Sequence, residues 1–135
     1  MADIRLTGSC LCGAVSYRVD GPVRDIVGCH CRQCRKASGH HVAATRAYSS
    51  DVTIEGEASL KWYRSSEIAE RGFCATCGSQ LFWRRLDGDL LSIMAGSLNE
   101  PTGLVMTRQI HTESAGDYYE VPRDIEGSPS ETPET

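Results

Sequence analysis

The sequence predicts a mainly β protein: short antiparallel strands in small sheets, built around metal sites, with one or two short helical turns. Three observations carry that expectation. Turn residues recur at short intervals, at Gly8, Gly13, Gly21-Pro22, Gly39, Gly56, Gly72, Gly78, Gly88, Gly96 and Gly103, leaving little room for long helices. The runs between them alternate apolar and polar residues or are β-branched, and helical periodicity is poor. Seven cysteines fall into three tight clusters, Cys10-Leu-Cys12, Cys29-His-Cys31-Arg-Gln-Cys34 and Cys74-Ala-Thr-Cys77. These are spacings from which neighbouring thiolates reach one metal ion.

In chain order, strands are expected at 14–19, where AVSYRV alternates for much of its length, and at 41–48, 52–54, 60–63, 80–84, 90–94 and 104–111. The best helical stretch is 32–38, which begins inside the central cysteine motif and has Gly39 as its C-cap. A short turn is expected near 97–101. Trp62, Tyr63, Phe73, Phe82 and Trp83 are expected in the core or between sheets, as large apolar groups in strands usually are. Residues 1–122 are read as one zinc-binding domain. Residues 123–135 (RDIEGSPSETPET) have little to bury and are read as a disordered tail.

The 135 residues suffice for one domain with a hydrophobic core, so metal would reinforce the fold rather than replace a core. The net charge of −4 leaves no basic face suited to nucleic acid. Arg32, Arg35 and Lys36 form the one local basic cluster. Met-Ala-Asp-Ile-Arg lacks the apolar run of a signal peptide, and no run of about eighteen apolar residues suggests a membrane helix. The expected compartment is therefore the cytoplasm, where thiols stay reduced. Together with an odd cysteine count, this argues against a disulfide framework.

A closed zinc site takes four thiolates, and four from seven leaves three, the number of protein ligands in a reactive site with an open fourth position. On an extended backbone residues i and i+2 share a face, so Cys10 can pair with Cys12 and Cys29 with Cys31. His30 then faces away from a metal held by its neighbours and is expected packed or hydrogen-bonded behind the ligands. Cys74-Ala-Thr-Cys77-Gly78 has the form of a zinc knuckle and needs a second pair. Spacing alone does not choose between Cys10/Cys12 and Cys29/Cys31. Cys34 lies within reach of Cys29 and Cys31, which favours those three as the open site and Cys10, Cys12, Cys74 and Cys77 as the closed one. Three thiolates make a soft, weak Lewis acid, better suited to an incoming sulfur than to water activation. The inferred chemistry is binding of a small thiol as its thiolate, with the basic cluster offsetting charge or holding an anionic substrate. His40 and His41 follow Gly39 and could line the open site, although partly exposed strand residues are the simpler expectation. His111 is expected to be a hydrogen-bonded structural histidine.

Four segments resemble the glutathione-dependent formaldehyde-activating enzymes, the family that also includes centromere protein V. They are Gly8-Ser-Cys-Leu-Cys-Gly-Ala-Val-Ser-Tyr17, Cys29-His-Cys-Arg-Gln-Cys-Arg-Lys-Ala-Ser-Gly39, Arg71-Gly-Phe-Cys-Ala-Thr-Cys-Gly-Ser-Gln80 and Ala95-Gly-Ser-Leu-Asn99. The resemblance implies a β-tent fold and two zinc ions per chain. It implies that Cys10, Cys12, Cys74 and Cys77 match structural zinc ligands and that Cys29, Cys31 and Cys34 match catalytic ones. It further implies a carbon–sulfur lyase or synthase reaction joining glutathione and formaldehyde as S-hydroxymethylglutathione. One departure stands out. Where members often end the domain with His, a short gap and Trp, this chain has His111 followed by Tyr118 and Tyr119. The alternative reading is a non-catalytic zinc module that binds a protein partner.

Overall fold

The computed structural model describes residues 3–122 and 126–128. It divides into two compact units, one of Met1–Arg24 with Thr45–Gly103, the other of Asp25–Ala44 with Leu104–Thr135.

The first unit contains a three-stranded antiparallel sheet of β1 (Asp3–Ser9), β2 (Ser16–Pro22) and β5 (Val52–Glu55), in the order β1-β2-β5. It also holds β6 (Leu60–Arg64), β7 (Ala69–Cys74), β8 (Gln80–Arg85) and β9 (Leu90–Met94), paired in sequence. Val15, Tyr17, Val19, Leu81, Phe82 and Ile93 are its buried core. Tyr17 meets Phe82 edge-on at 5.4 Å between centroids, and Trp62 stacks on the same ring at 6.1 Å. Gly72 makes that stack possible, since a Cβ there would lie 3.1 Å from the Trp62 ring. Each large apolar side chain buried in this way contributes about 1.5–3 kcal/mol, so the unit does not depend on metal alone. Tyr63 was expected in this core but is 65 % exposed. Its strand, β6, is the last in its sheet, and alternation along it turns Lys61 and Tyr63 outward while Leu60 and Trp62 face in.

The second unit contains β3 (Ile26–Cys29), α1 (Arg32–Ser38), the start of β4 (Val42–Tyr48), β10 (Met106–Ile110) and β11 (Glu126–Ser128). β3 pairs antiparallel with β4. β10 pairs in parallel with β3 on one side and with β11 on the other, unlike the antiparallel pairs β1-β2, β2-β5, β3-β4, β6-β7, β7-β8 and β8-β9. Parallel pairing needs a long connection between partners, and β10 follows β3 only after the chain has passed through most of the first unit. Most of the expected tail lies outside the described residues, while Glu126–Ser128 within it form β11.

The helix at 32–38 is found as expected. Gly39 ends it at φ +89°, with its N–H bonded to the Arg35 carbonyl at 2.9 Å. The seven expected strands are present within a few residues of their predicted ends. β1, β3, β7 and β11 were not anticipated. β3 reads Ile-Val-Gly-Cys and is buried throughout, so it shows no alternation, and β7 is interrupted by Gly72. Near the expected 97–101 turn, a 3-10 turn spans Ala95–Ser97. Among the described residues, no helix is long and apolar enough to cross a membrane.

Candidate metal centres

The turn between β1 and β2 carries Cys10 and Cys12, and the turn between β7 and β8 carries Cys77 just beyond Cys74. The two turns are built alike. Cys10 donates its N–H to the Val15 carbonyl at 3.0 Å, and Cys74 donates to the Ser79 carbonyl at 3.0 Å. Gly13 (φ +82°) and Gly78 (φ +83°) then return their own N–H groups to Cys10 and Cys74. Only the left-handed backbone open to glycine closes so tight a loop. The expectation that Cys10 and Cys12 sit on a strand is corrected, because it is the turn that brings their sulfurs together.

The Sγ atoms of Cys10, Cys12, Cys74 and Cys77 all lie within 4.8 Å of one another. Cys10 to Cys12 is 3.7 Å and Cys12 to Cys74 is 3.8 Å. A zinc–sulfur bond of about 2.3 Å puts the sulfurs of a tetrahedral site ~3.8 Å apart, so this donor set fits a four-thiolate metal ion. Backbone N–H groups already point at sulfur, from Val15 to Cys10 at 3.3 Å and from Cys77 to Cys74 at 3.5 Å. Ser79 ties the two turns together. Its hydroxyl accepts the Leu11 N–H at 3.0 Å and lies 3.2 Å from Cys77 Sγ. That hydroxyl, with the Ser79 N–H, lowers the Cys77 thiol to about 5. At Cys12 the Ala14 N–H favours the thiolate, but desolvation and the three neighbouring sulfurs prevail and push the thiol up to about 11. The four thiols cannot all ionise against one another, and a bound dication removes that conflict.

In the second unit Cys29 ends β3, Cys31 caps α1 and Cys34 is buried in the helix's first turn. Their sulfurs also lie within 4.8 Å of one another, and among the described residues no fourth His, Cys, Asp or Glu joins them. The Cys31 side chain accepts the Cys34 N–H at 3.3 Å. Hydrogen bonds from the Cys29 and Cys34 thiols hold Cys31 well below the usual thiol range, with His111 adding to the effect, while the Cys31 and Cys34 contacts push Cys29 up. This is the same conflict as in the four-cysteine cluster.

His30 faces away from the cluster, as alternation requires. It is 1 % exposed, with Nε2 at 2.6 Å from Gln109 Oε1 and Nδ1 at 2.5 Å from the Tyr119 hydroxyl. His41 stacks on His30 at 4.6 Å, and His40 bonds to the Tyr118 hydroxyl at 2.5 Å. Arg35 donates to the Ser114 carbonyl at 2.9 Å, while Arg32 and Lys36 are exposed. His111 takes a left-handed backbone (φ 55°) at the start of a 3-10 turn. Sequence reasoning gave no role to Ser79 or Gln109. Ser79 lies in the family-like stretch 71–80 but reads as an ordinary turn residue, and Gln109 carries no local signal, because its partner His30 is 79 residues away.

The family model for glutathione-dependent formaldehyde-activating enzymes matches residues 5–114, a span that includes all seven cysteines. The chain belongs to this family. Among curated proteins, this family member is 30 % identical over 129 residues to a Halomonas elongata protein named "Putative glutathione-dependent formaldehyde-activating enzyme", covering 86 % of this chain and 80 % of that one. It is 32 % identical over 81 residues to an uncharacterized lyase of Schizosaccharomyces pombe, covering 60 % of this chain and 58 % of the yeast protein's length. Among solved structures, a Rhodobacter sphaeroides protein superposes with a TM-score of 0.61 at 26 % identity, covering 74 % of this chain and 97 % of that one. The mainly β fold is therefore shared with that solved structure.

Gly8, Tyr17 and Ser97, all within family-like segments, form one packed trio. The Tyr17 hydroxyl bonds to Ser97 Oγ at 2.6 Å, and Ser97 donates onward to the Met94 carbonyl at 2.7 Å. A Cβ on residue 8 would come within 2.2 Å of the Tyr17 oxygen. Burial, only partly countered by Ser97, raises the Tyr17 phenol to about 12. These residues pack against one another inside the first unit.

Proposed function

We propose that this protein is a zinc-dependent carbon–sulfur lyase or synthase acting on a small thiol adduct of the S-hydroxymethylglutathione kind. In this reading it holds two zinc ions. Cys10, Cys12, Cys74 and Cys77 hold a closed, structural one, and Cys29, Cys31 and Cys34 hold one with a place left for substrate. The observation that carries the proposal is the second cluster: three sulfurs gathered within 4.8 Å of one another with no fourth side-chain donor among the described residues.

A metal bound there would supply a soft position that stabilises a thiol as its thiolate. The chain's own residues do the rest. Cys29, Cys31 and Cys34 present three donors from a strand end and a helix cap. Arg32 and Lys36, exposed on α1, offset the negative charge of the cluster and face solvent where a peptide thiol's carboxylates arrive. In the synthetic direction the substrate sulfur attacks the carbonyl carbon and a C–S bond forms. The C=O electron pair moves to oxygen, which takes a proton. The lyase direction reverses each step.

Cys34→Ser tests the division of roles. The variant is expected to lose about one zinc per chain, to keep its fold, and to lose any acceleration of adduct formation from glutathione and formaldehyde. Loss of both metals together with unfolding would contradict it.

A further inference from the structure

Resting on the reading that Cys29, Cys31 and Cys34 hold a metal, we infer that Gln109 and Tyr119 are positioning residues for that centre. They grip His30 by both ring nitrogens and thereby hold Cys29 and Cys31 with their sulfurs turned to one point.

His30 lies between two of the three donors in the chain, so a shift of its backbone moves both. The backbone is already fixed, because the His30 N–H bonds to the Ile110 carbonyl at 3.0 Å and Cys29 pairs with Val42 and with Ile110. The ring is fixed by the chain of groups behind it. Gln109 stands on β10 opposite Gly28 of β3. A Cβ at residue 28 would come within 2.2 Å of Gln109 Oε1, so the glycine leaves the path by which the amide reaches His30. Gln109 Nε2 donates to the Met106 sulfur at 3.0 Å. A thioether can only accept, so the amide nitrogen faces Met106 and the amide oxygen faces His30. His30 Nε2–H therefore donates to Gln109 Oε1, and Nδ1 hydrogen-bonds to the Tyr119 hydroxyl. Gln109 is 1 % exposed, like His30. A buried chain of this kind, satisfied at each link, has one low-energy arrangement. Groups that orient metal-site residues from behind usually set metal affinity as well as geometry.

Tyr119 also extends the clamp to the segment after β10. Ser114 in that segment takes the Arg35 bond from α1. The same stretch of chain is thus fastened both to the helix that carries Cys34 and to the histidine between Cys29 and Cys31.

The test uses the full chain loaded with Co²⁺, reading affinity by chelator competition and geometry by the sulfur-to-cobalt charge-transfer band. Gln109→Leu removes the acceptor, and Tyr119→Phe removes only the hydroxyl. Each is expected to weaken Co²⁺ at the three-cysteine centre by about 10–100-fold and to shift its band, with the four-cysteine centre unchanged. Gln109→Glu keeps an oxygen on His30 Nε2 and is expected to bind within a few-fold of wild type, which a loss of packing alone would not produce. Wild-type affinity and an unchanged band in both Gln109→Leu and Tyr119→Phe would overturn the inference. If Gln109→Leu does not fold, Tyr119→Phe decides alone. If wild type and Cys34→Ser bind Co²⁺ alike, the three-cysteine reading itself fails, an outcome distinct from failure of the clamp.

Discussion

At the scale of single residues, His41 gives the fold an acid-sensitive contribution to stability. Desolvation, with the nearby His30 and His40, lowers its pKa from 6.5 to about 4. The folded chain therefore resists a proton that the unfolded chain accepts. The stability this contributes is complete above 6.5 and is lost as pH falls from there through 4. His41→Gln lacks that acid-sensitive part. Urea midpoints measured from about pH 7 down to pH 4 should show the stability gap between wild type and His41→Gln shifting toward the variant on acidification. Parallel curves would contradict this. His30, one stack away, is buried and bonded on the side away from the three sulfurs, as the period of an extended chain predicts. Its partners Gln109 and Tyr119 were not legible, because only the fold brings residues so distant in sequence to one ring.

At the scale of elements, the turns and the helix were the most legible parts, since their signals are local. Gly39 was identified as the C-cap of 32–38 and takes φ +89° with no atom near its missing Cβ. Gly39→Ala therefore tests conformation without a clash. It should cost about 1 kcal/mol in thermal or urea unfolding, with metal content unchanged. An alanine variant as stable as wild type would mean that the left-handed cap is not required. The strands divide by pattern. Val52–Glu55 and Leu60–Arg64 alternate in burial and were anticipated. Ile26–Cys29 is buried at each position and so carries no period-two signal. The parallel pairing of β10 was also hidden, because pairing direction depends on the route the chain takes between strands and not on the strand's own residues.

At the scale of the whole molecule, each cysteine cluster lies inside one of the two compact units: Cys10, Cys12, Cys74 and Cys77 in the first, Cys29, Cys31 and Cys34 in the second. The four-cysteine cluster brings together turns 62 residues apart, so a metal held there would close a long loop. Graded chelation of the protein should therefore occur in two stages. About one metal should leave first, with the far-ultraviolet strand signal kept, and the second should leave together with loss of structure. Simultaneous loss of both metals with unfolding would contradict separate roles. The clustering of cysteines was legible because thiolates at these spacings have few other uses. In the proposed function a substrate sulfur enters the three-cysteine centre, and a titration of Co²⁺-substituted protein with glutathione reads that step directly. The account predicts growth of the sulfur-to-cobalt charge-transfer band as glutathione is added, absent in Cys34→Ser. A wild-type spectrum that glutathione leaves unchanged would contradict entry of a substrate thiolate and favour a module whose metals only hold the fold.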